Sequence, residues 1–352
     1  LDLMKNGVET PDVLIDVGRL GLDAITATPA GGLLIGSGVT NSAVANHPLV
    51  RDGYPVLSQA ILSGATTQLR NMATAGGNLL QRTRCPYFMD PAFAACDKRS
   101  PGSGCAARAG LNREHALFGS GGGCVAVHPS DMAVALAALN ATVHVVGPAG
   151  ARTLGWAEFF RLPGDHPERD VTLDAAELIT GIELPASPFA EHGWYEKVRD
   201  RHSYAFALVS VAAGLDVVDG AIRSAAVALG GVAAMPWRVR AAEGELVGRR
   251  PERAAFVAAA HAALAACDPS ELTATEVLTV LDDLEDLTRR LPAQQHRLLS
   301  ALQSHGAPAD LGAKSWRDVL ATRLRISRPE AGRRLRDAAL LGPRRTLTGD
   351  PL

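Results

Sequence analysis

Residues 68–138 read QLRNMATAGGNLLQRTRCPYFMDPAFAACDKRSPGSGCAARAGLNREHALFGSGGGCVAVHPSDMAVALAA, and they combine two different signals for a cofactor. A glycine-rich turn, Thr74-Ala75-Gly76-Gly77-Asn78, opens the segment, and His128-Pro129-Ser130-Asp131 closes it. Between these motifs lie four of the chain's five cysteines, namely Cys85, Cys96, Cys105 and Cys124. We therefore interpret the rest of the chain around this segment.

The glycine-rich turn allows a close approach of the backbone to a ligand. Adjacent glycines accept positive φ, and consecutive exposed N–H groups in such a turn can form a nest for a phosphate. A turn with a purely structural role has the same composition. The motif is neither GxGxxG nor a P-loop, so it does not indicate a Rossmann or nucleoside-triphosphatase fold.

The four cysteines have the spacing Cys85-x10-Cys96-x8-Cys105-x18-Cys124. Four thiolates suit a zinc ion or an iron–sulfur cluster, although the absence of a CxxC pair disfavours a zinc ribbon. Proline and glycine make the segment loop-like, and nearby cations could offset the thiolate charge: Arg82, Arg84, Lys98 and Arg99. The alternative is a set of unrelated buried cysteines.

The residues after Cys124 predict a strand at 125–127, then a helix over MAVALAALN and a strand over ATVHVVG. Asp131 is placed where it could cap that helix, which is also its simplest role. His128 is interpreted as a turn residue rather than a ligand.

Composition and charge exclude several classes of protein. The 352 residues can bury a sizeable core, and a formal net charge of -2 argues against non-specific binding to nucleic acid or anionic membranes. The sequence shows no apolar run of membrane-spanning length and no secretory signal. Clustered cysteines without an export signal favour metal binding over disulfides. We expect a cytoplasmic protein, or a periplasmic one if a partner subunit carries it.

The remainder of the chain alternates short helices and strands. We expect a helix at LDLMK, strands at VLIDV (13–17) and on both sides of Gly31-Gly32, and later strands at ELITGIELP, FALVSVAAGLDV and AIRSAAVALG. From the residues alone, Ile179 is an ordinary core side chain and Lys197 a solvated one beside Glu196 and Arg199. Cys267 is most simply a small buried hydrophobe.

The C-terminal part changes character from residue 271. A capping box at 273–276 and a proline at 292 each predict a helix, and ATRLRISRPEAGRRLRDA resembles a helix-turn-helix. Residues 312–352 contain ten Lys or Arg and four Asp or Glu, a local charge of +6. Arg328, Arg333 and Arg334 could contact DNA, but a basic helical module that packs on itself is the favoured interpretation. This tail resembles a bacterial repeat family found ahead of HNH endonucleases. It lacks the nuclease motif.

Residues 1–270 resemble the FAD-binding subunit of molybdenum hydroxylases, the xanthine dehydrogenase and carbon monoxide dehydrogenase group. The TxGGN motif matches residues 74–78, and PxDxxxAL matches residues 129–136. The cysteine-bearing insertion between them is similar to that of the aldehyde oxidoreductase branch. The resemblance implies an α+β chain with a PCMH-type FAD-binding domain at 1–187, containing an iron–sulfur loop at 82–126. A small flavoprotein C-terminal domain at 188–270 and a helical basic segment at 271–352 follow.

The resemblance also implies roles for individual residues. FAD would be held by Thr74, Ala75, Gly76, Gly77, Asn78 and Asp131, with Ile179 against the flavin and Lys197 near its pyrimidine edge. A 4Fe–4S cluster would be held by Cys85, Cys96, Cys105 and Cys124. No catalytic acid, base or nucleophile is expected on this chain, because its task would be electron transfer between iron–sulfur clusters, FAD and an external acceptor. Its partners would be a molybdenum-cofactor large subunit and a 2Fe–2S small subunit, in a heterotrimer or its dimer.

Family members carry a further glycine-rich turn of the AGGT type ahead of the residues equivalent to LDLMK. The sequence begins after that turn, so we expect this chain to bind FAD weakly or not at all. Two rival functions stay open at this point. One is a DNA-binding or regulatory fusion on a degenerate flavoprotein scaffold, in which nucleic acid would be contacted through residues 312–345. The other is a zinc-stabilised structural protein.

Overall fold

A computed structural model describes residues 2–120, 123–201, 203–266, 299, 302–303, 307–311, 313–323 and 327–341. The chain divides into two compact units, Leu1–Thr273 and Ala274–Leu352. The helix predicted at 273–287 and Cys267 lie outside the described residues, and of the helix predicted from Pro292 to Gly306 only residues 299, 302 and 303 are described.

The first unit contains two antiparallel sheets. The five-stranded sheet has the order β1-β2-β5-β3-β4, formed by β1 (Ile25–Ala27), β2 (Leu33–Gly36), β3 (Thr142–Gly147), β4 (Gly150–Gly155) and β5 (Leu178–Leu184). The four-stranded sheet has the order β6-β7-β8-β9, formed by β6 (Gly193–Val198), β7 (Val209–Val218), β8 (Ala221–Gly230) and β9 (Trp237–Arg238). The strands expected around Gly31-Gly32 and at ATVHVVG, ELITGIELP, FALVSVAAGLDV and AIRSAAVALG are confirmed.

Short helices fill the connections between strands. They are α1 (Asp2–Lys5), α2 (Asn41–Asn46), α3 (Pro48–Gly53), α4 (Pro55–Ser63), α5 (Thr67–Met72), α6 (Ala75–Leu79), α7 (Pro86–Met89), α8 (Asp131–Ala138), α9 (Trp156–Phe159), α10 (Arg240–Leu246) and α11 (Arg253–Ala265). Gly31 has φ +79° in the turn between β1 and β2, a conformation that a side chain would strain. In the part of the chain that is described, no helix is both long and apolar enough to cross a membrane.

Helix α8 is the centre of the first unit. Every residue from Met132 to Ala138 is buried, because α8 packs against α4 on one side and against β7 and β8 on the other. A helix that is apolar on all sides is stable only when it is enclosed in this way. The residues at its N-terminus are therefore fixed relative to α4 and the four-stranded sheet.

Two expected strands and one expected cap are wrong. Residues 13–17 form irregular chain outside both sheets, with Val13 and Ile15 73% and 82% exposed, because apolar content alone does not supply a partner strand. Residues 125–127 are also irregular, although Ala116 N donates to Val125 O. The cap of α8 is Ser130, whose Oγ accepts from Ala133 N, while Asp131 is the first residue of the helix.

The second unit contains the helices Trp316–Arg323 and Arg328–Leu341, as expected from the sequence on either side of Ser327. Their apolar residues pack into a small core that includes Leu299, Leu320, Ala331 and Ala338. A short 3₁₀ helix, Pro308–Leu311, contacts the first of the two helices.

Candidate functional site

The glycine-rich turn is closed by hydrogen bonds within the protein. Thr74 caps α6 by accepting from Gly77 N at 3.3 Å, and Gly76 N donates to Ser37 O at 2.9 Å. The amides of Ala75 and Asn78 also have backbone acceptors. The open phosphate nest considered from the sequence is therefore not formed here. The two glycines differ, because a Cβ on Gly76 would lie 2.8 Å from Ser37 Cβ, whereas Gly77 is exposed.

The turn is tied to the beginning of α8. Asn78 Oδ1 accepts a hydrogen bond from Ser130 Oγ, the same hydroxyl that caps the helix. Gln81 Nε2 donates to the same Asn78 oxygen at 2.9 Å. The two motifs that open and close the segment 68–138 therefore meet in space, one residue from Asp131.

Asp131 lies in a buried network with two side chains of β6. Its Oδ1 accepts from Tyr195 Oη at 2.6 Å, and its Oδ2 accepts from Lys197 Nζ at 2.8 Å. The Lys197 side chain is only 3% exposed, so its interpretation as a solvated residue is wrong. Burial, and then the charge of Asp131, raises the pKa of Tyr195, which keeps the phenol protonated as a donor. We call Asp131, Tyr195 and Lys197 the carboxylate joint.

Ile179 lies on β5, paired in register with Val145 beside an irregularity in β3. It is 3% exposed and belongs to the main core cluster, in agreement with its interpretation as a core residue. Helix α6, which contains the glycines, packs against the same strand. A contact between Ile179 and a flavin stays a prediction.

The four cysteines lie in irregular chain and are free thiols. Cys96 and Cys105 pair as an isolated antiparallel bridge, and Cys85 precedes α7. Burial raises the pKa of Cys85 to about 11, with a further increase from the charges of Cys124 and Cys96. Burial also raises the pKa of Cys124. The sulfurs are thus close enough to interact electrostatically, but the described residues contain no group of three or more His, Cys, Asp or Glu arranged to hold a metal ion.

One buried cation, Lys98, influences a thiol of residues 82–126, which we call the cysteine loop. Lys98 is buried, and its Nζ donates to Pro167 O at 2.7 Å and to Asp170 Oδ1. Burial raises the pKa of Cys124, whereas the positive charge of Lys98 lowers it. The other cations named from the sequence have separate roles: Arg82 pairs with Asp170, Arg84 with Asp2, and Arg99 donates to the carbonyls of Tyr87 and Phe88.

A cleft joins the two predicted sites. Its cavity volume is about 40 Å³, and it is lined by residues of the loop, of α8 and of the four-stranded sheet, among them Cys85, His115, His128, Asp131, Phe206 and Ser210. His128 is buried, with Nε2 3.3 Å from Leu79 O. Burial lowers its pKa to about 4, so the ring is neutral at pH 7. Its interpretation as a non-ligand agrees with this contact.

Sequence reasoning missed two side chains of this site, Tyr195 and His115. Tyr195 and Lys197 are two residues apart on β6, so they share one face of the strand, and that alternation was the available signal. His115 lies with Nε2 3.2 Å from Cys85 Sγ, and nothing in the loop sequence LNREHALF indicates that contact.

Two antiparallel sheets joined by one enclosed helix, with a cleft at the start of that helix, define an α+β protein built around a binding site. Residues 1–187 match the family described as the FAD binding domain in molybdopterin dehydrogenase. Residues 194–277 match the CO dehydrogenase flavoprotein C-terminal domain. The chain belongs to the FAD-binding family of molybdopterin dehydrogenases.

Relatives and solved structures agree with this assignment. The chain is 54% identical over 247 residues to the aldehyde oxidoreductase FAD-binding subunit PaoB of Escherichia coli (strain K12), covering 70% of this chain and 76% of that protein. It is 25% identical over 252 residues to the glyceraldehyde dehydrogenase medium chain of Sulfolobus acidocaldarius, covering 71% of each. A structure of Cu,Mo-CO dehydrogenase has the same fold, with a TM-score of 0.57, 23% identity and 76% coverage of each chain.

The C-terminal unit has different relatives. Residues 278–352 match a domain of unknown function, DUF222. An uncharacterized protein of Mycobacterium tuberculosis (strain ATCC 25618 / H37Rv) is 51% identical over 81 residues, so the chain spans about a third (36%) of that relative. The arginines considered for DNA contact are paired with carboxylates: Arg328 with Asp318, Arg333 with Glu330 and Asp337, and Arg334 with Glu330. These pairs favour the interpretation that the module packs on itself.

Proposed function

We propose that this chain is the electron-transfer flavin subunit of a molybdenum-dependent hydroxylase of the aldehyde oxidoreductase type. It would pass electrons from iron–sulfur clusters to FAD and on to an external acceptor. The 54% identity to an aldehyde oxidoreductase FAD-binding subunit, over 70% of the chain, is the observation that carries the proposal. The three segments 1–187, 188–270 and 271–352 would be its domains.

The residues proposed for FAD fit a cofactor site chemically. The turn at 74–78 is joined through Ser130 to Asp131, which lines the cleft, and the carboxylate of Asp131 is paired with Lys197. Ile179 would supply an apolar contact. When bound, FAD would supply one- and two-electron chemistry, while the protein orients the ring, excludes water and sets its potential.

The cysteine loop is proposed to hold a 4Fe–4S cluster through Cys85, Cys96, Cys105 and Cys124. Four thiols within one loop are the appropriate donors. The positive charge of the buried Lys98 lowers the pKa of Cys124, which favours the thiolate that a cluster needs. Because burial raises the pKa of two of these thiols, their deprotonation would accompany metal binding. The cluster would supply one-electron transfer near the cleft lined by both Cys85 and Asp131.

The proposed partners are a large subunit with a molybdenum cofactor and a small subunit with 2Fe–2S clusters, in a heterotrimer or its dimer. We expect this chain to carry no nucleophile or general base for substrate oxidation, so the substrate would be oxidised on the large subunit. We propose a cytoplasmic location, or a periplasmic one if a partner subunit carries the chain.

Co-expression with candidate large and small subunits tests the proposal. We expect a complex that contains FAD, about four irons on this subunit and aldehyde-dependent reduction of a dye. The control is Cys267→Ala, which removes the fifth cysteine and should leave iron unchanged, whereas Cys105→Ser should lower it. Zinc in place of iron, or an assembled complex that binds no flavin even when FAD is supplied in excess, would contradict the proposal.

A further inference from the structure

His115 contacts a sulfur of the cysteine loop. Its Nε2 lies 3.2 Å from Cys85 Sγ, and the residue is 6% exposed. The backbone on both sides of the ring is held, because His115 N donates to Asn112 O at 3.0 Å and Ala116 N donates to Val125 O at 2.8 Å. The ring is therefore fixed between Cys85 and the segment that follows Cys124.

The direction of this hydrogen bond follows from the chemistry of a ligated sulfur. A thiolate bound to iron carries no proton, so Cys85 Sγ can only accept, and His115 Nε2 must carry the hydrogen. Hydrogen bonds to the sulfurs are among the features that set the reduction potential of an iron–sulfur cluster. Because reduction adds negative charge, an N–H donor stabilises the reduced form more than the oxidised form and raises the potential.

Cys85 is also the cysteine that lines the described cleft, together with His115 and Asp131. The residue that receives this bond therefore lies on the same cleft as Asp131, one of the predicted flavin residues.

We propose that His115 is a positioning residue that raises the reduction potential of the 4Fe–4S cluster by donating Nε2–H to the sulfur of Cys85. This inference rests on the proposed function, since it requires the cluster. In this proposal His115 neither contacts the substrate nor ligates iron, and it acts only through Cys85.

The test is a redox titration, followed by EPR, of the full chain after anaerobic reconstitution with iron and sulfide. We expect His115→Leu to keep about four irons and to shift the midpoint to lower potential, changing the oxidised-to-reduced ratio at the wild-type midpoint at least about threefold, or roughly 28 mV for one electron. His115→Gln, whose amide nitrogen can replace Nε2, should retain most of the wild-type potential.

His144→Leu is the matched control, because Nε2 of His144 contacts Glu183 at 2.8 Å rather than a sulfur. The reduction potential of the cluster should not change in this variant. Full iron with an unchanged midpoint in His115→Leu would overturn the inference and leave the proposed function intact. Wild-type chain without iron would instead refute the cluster itself. If His115→Leu does not fold or retain iron, His115→Asn, whose shorter amide cannot reach the sulfur, replaces it under the same criteria.

Discussion

The carboxylate joint and the cysteine loop lie along one cleft, yet they are built in opposite ways. In the joint, Asp131 stands on a buried helix and its two partners on a paired strand, so regular structure fixes all three side chains. In the loop, four thiols lie in irregular chain and are not arranged as a metal site among the described residues. The comparison indicates that hydrogen bonds within the protein fix the joint, whereas under the proposed function the loop would take its final arrangement from the cluster that its thiols would bind.

The largest effect is expected from breaking the joint. Lys197→Met leaves the carboxylate of Asp131 buried without its cation, and we expect the free energy of unfolding to fall by about 3 kcal/mol. Urea denaturation of the flavin-free chain measures this loss. Asp131→Asn combined with Lys197→Met should restore part of it, and a loss below about 1 kcal/mol in the single variant would show that the joint is not a stabilising pair.

A smaller effect is expected at the point where the loop meets α8. Unfolded chain protonates His128 near its ordinary pKa of 6.5, whereas the folded pKa is about 4, so unfolded chain binds more protons in that window. The free energy of unfolding should therefore fall by about 2 kcal/mol between pH 7 and 5 from this group. Denaturation at both pH values, with wild type and His128→Gln, measures it. An equal pH slope in the two proteins would contradict the assignment, and His144→Gln, at a half-buried histidine paired with Glu183, serves as the control.

The glycine turn allows a comparison of two neighbouring positions. Gly76→Ala forces a Cβ against Ser37, and we expect a net loss of about 1 kcal/mol after the gain in helix propensity. At the exposed Gly77, a Cβ would lie 3.1 Å from Thr74 Oγ1. This close contact should offset the gain in helix propensity, so Gly77→Ala should change stability by less than about 0.5 kcal/mol. Thermal or urea unfolding distinguishes the two. Equal effects would mean that the close approach to Ser37 does not constrain the turn.

The smallest effect on the metal-free chain is expected in the cysteine loop. Cys105→Ser should change its free energy of unfolding by less than about 1 kcal/mol, because this thiol is only partly buried. After iron reconstitution, the wild-type loop should resist limited proteolysis at least about tenfold better than the variant loop. Similar cleavage rates for wild-type protein with and without iron would remove the distinction between loop and joint.

Much of the fold could be predicted because local patterns agree with it. Strand alternation predicted β3 and β5, and an apolar run after a capping turn predicted α8. The strand expected at 13–17 failed, since pairing depends on a distant partner that periodicity does not contain.

The site was predicted in part for the same reason. The two cofactor motifs could be read from short patterns, and their meeting through Asn78 and Ser130 agrees with the expected neighbourhood of turn and Asp131. Lys197 is buried against Asp131, which lies 66 positions away in the sequence, and His115 contacts Cys85, which lies 30 positions away. Such contacts arise from tertiary packing, so no local pattern could supply them.

The joint also bears on how such a chain can be assembled from parts. Asp131 lies within the segment 1–187 that matches one family, and Tyr195 and Lys197 lie within the segment 194–277 that matches another. Genetic exchange at the boundary between those segments would bring together a carboxylate and a cation that had not been selected as partners. A junction at residues 277 and 278, where the match to the third family begins, separates none of these three side chains. The hydrogen bonds of Asp131 thus join the two segments in the folded protein, and we expect an exchange between them to be tolerated less well than one at residues 277 and 278.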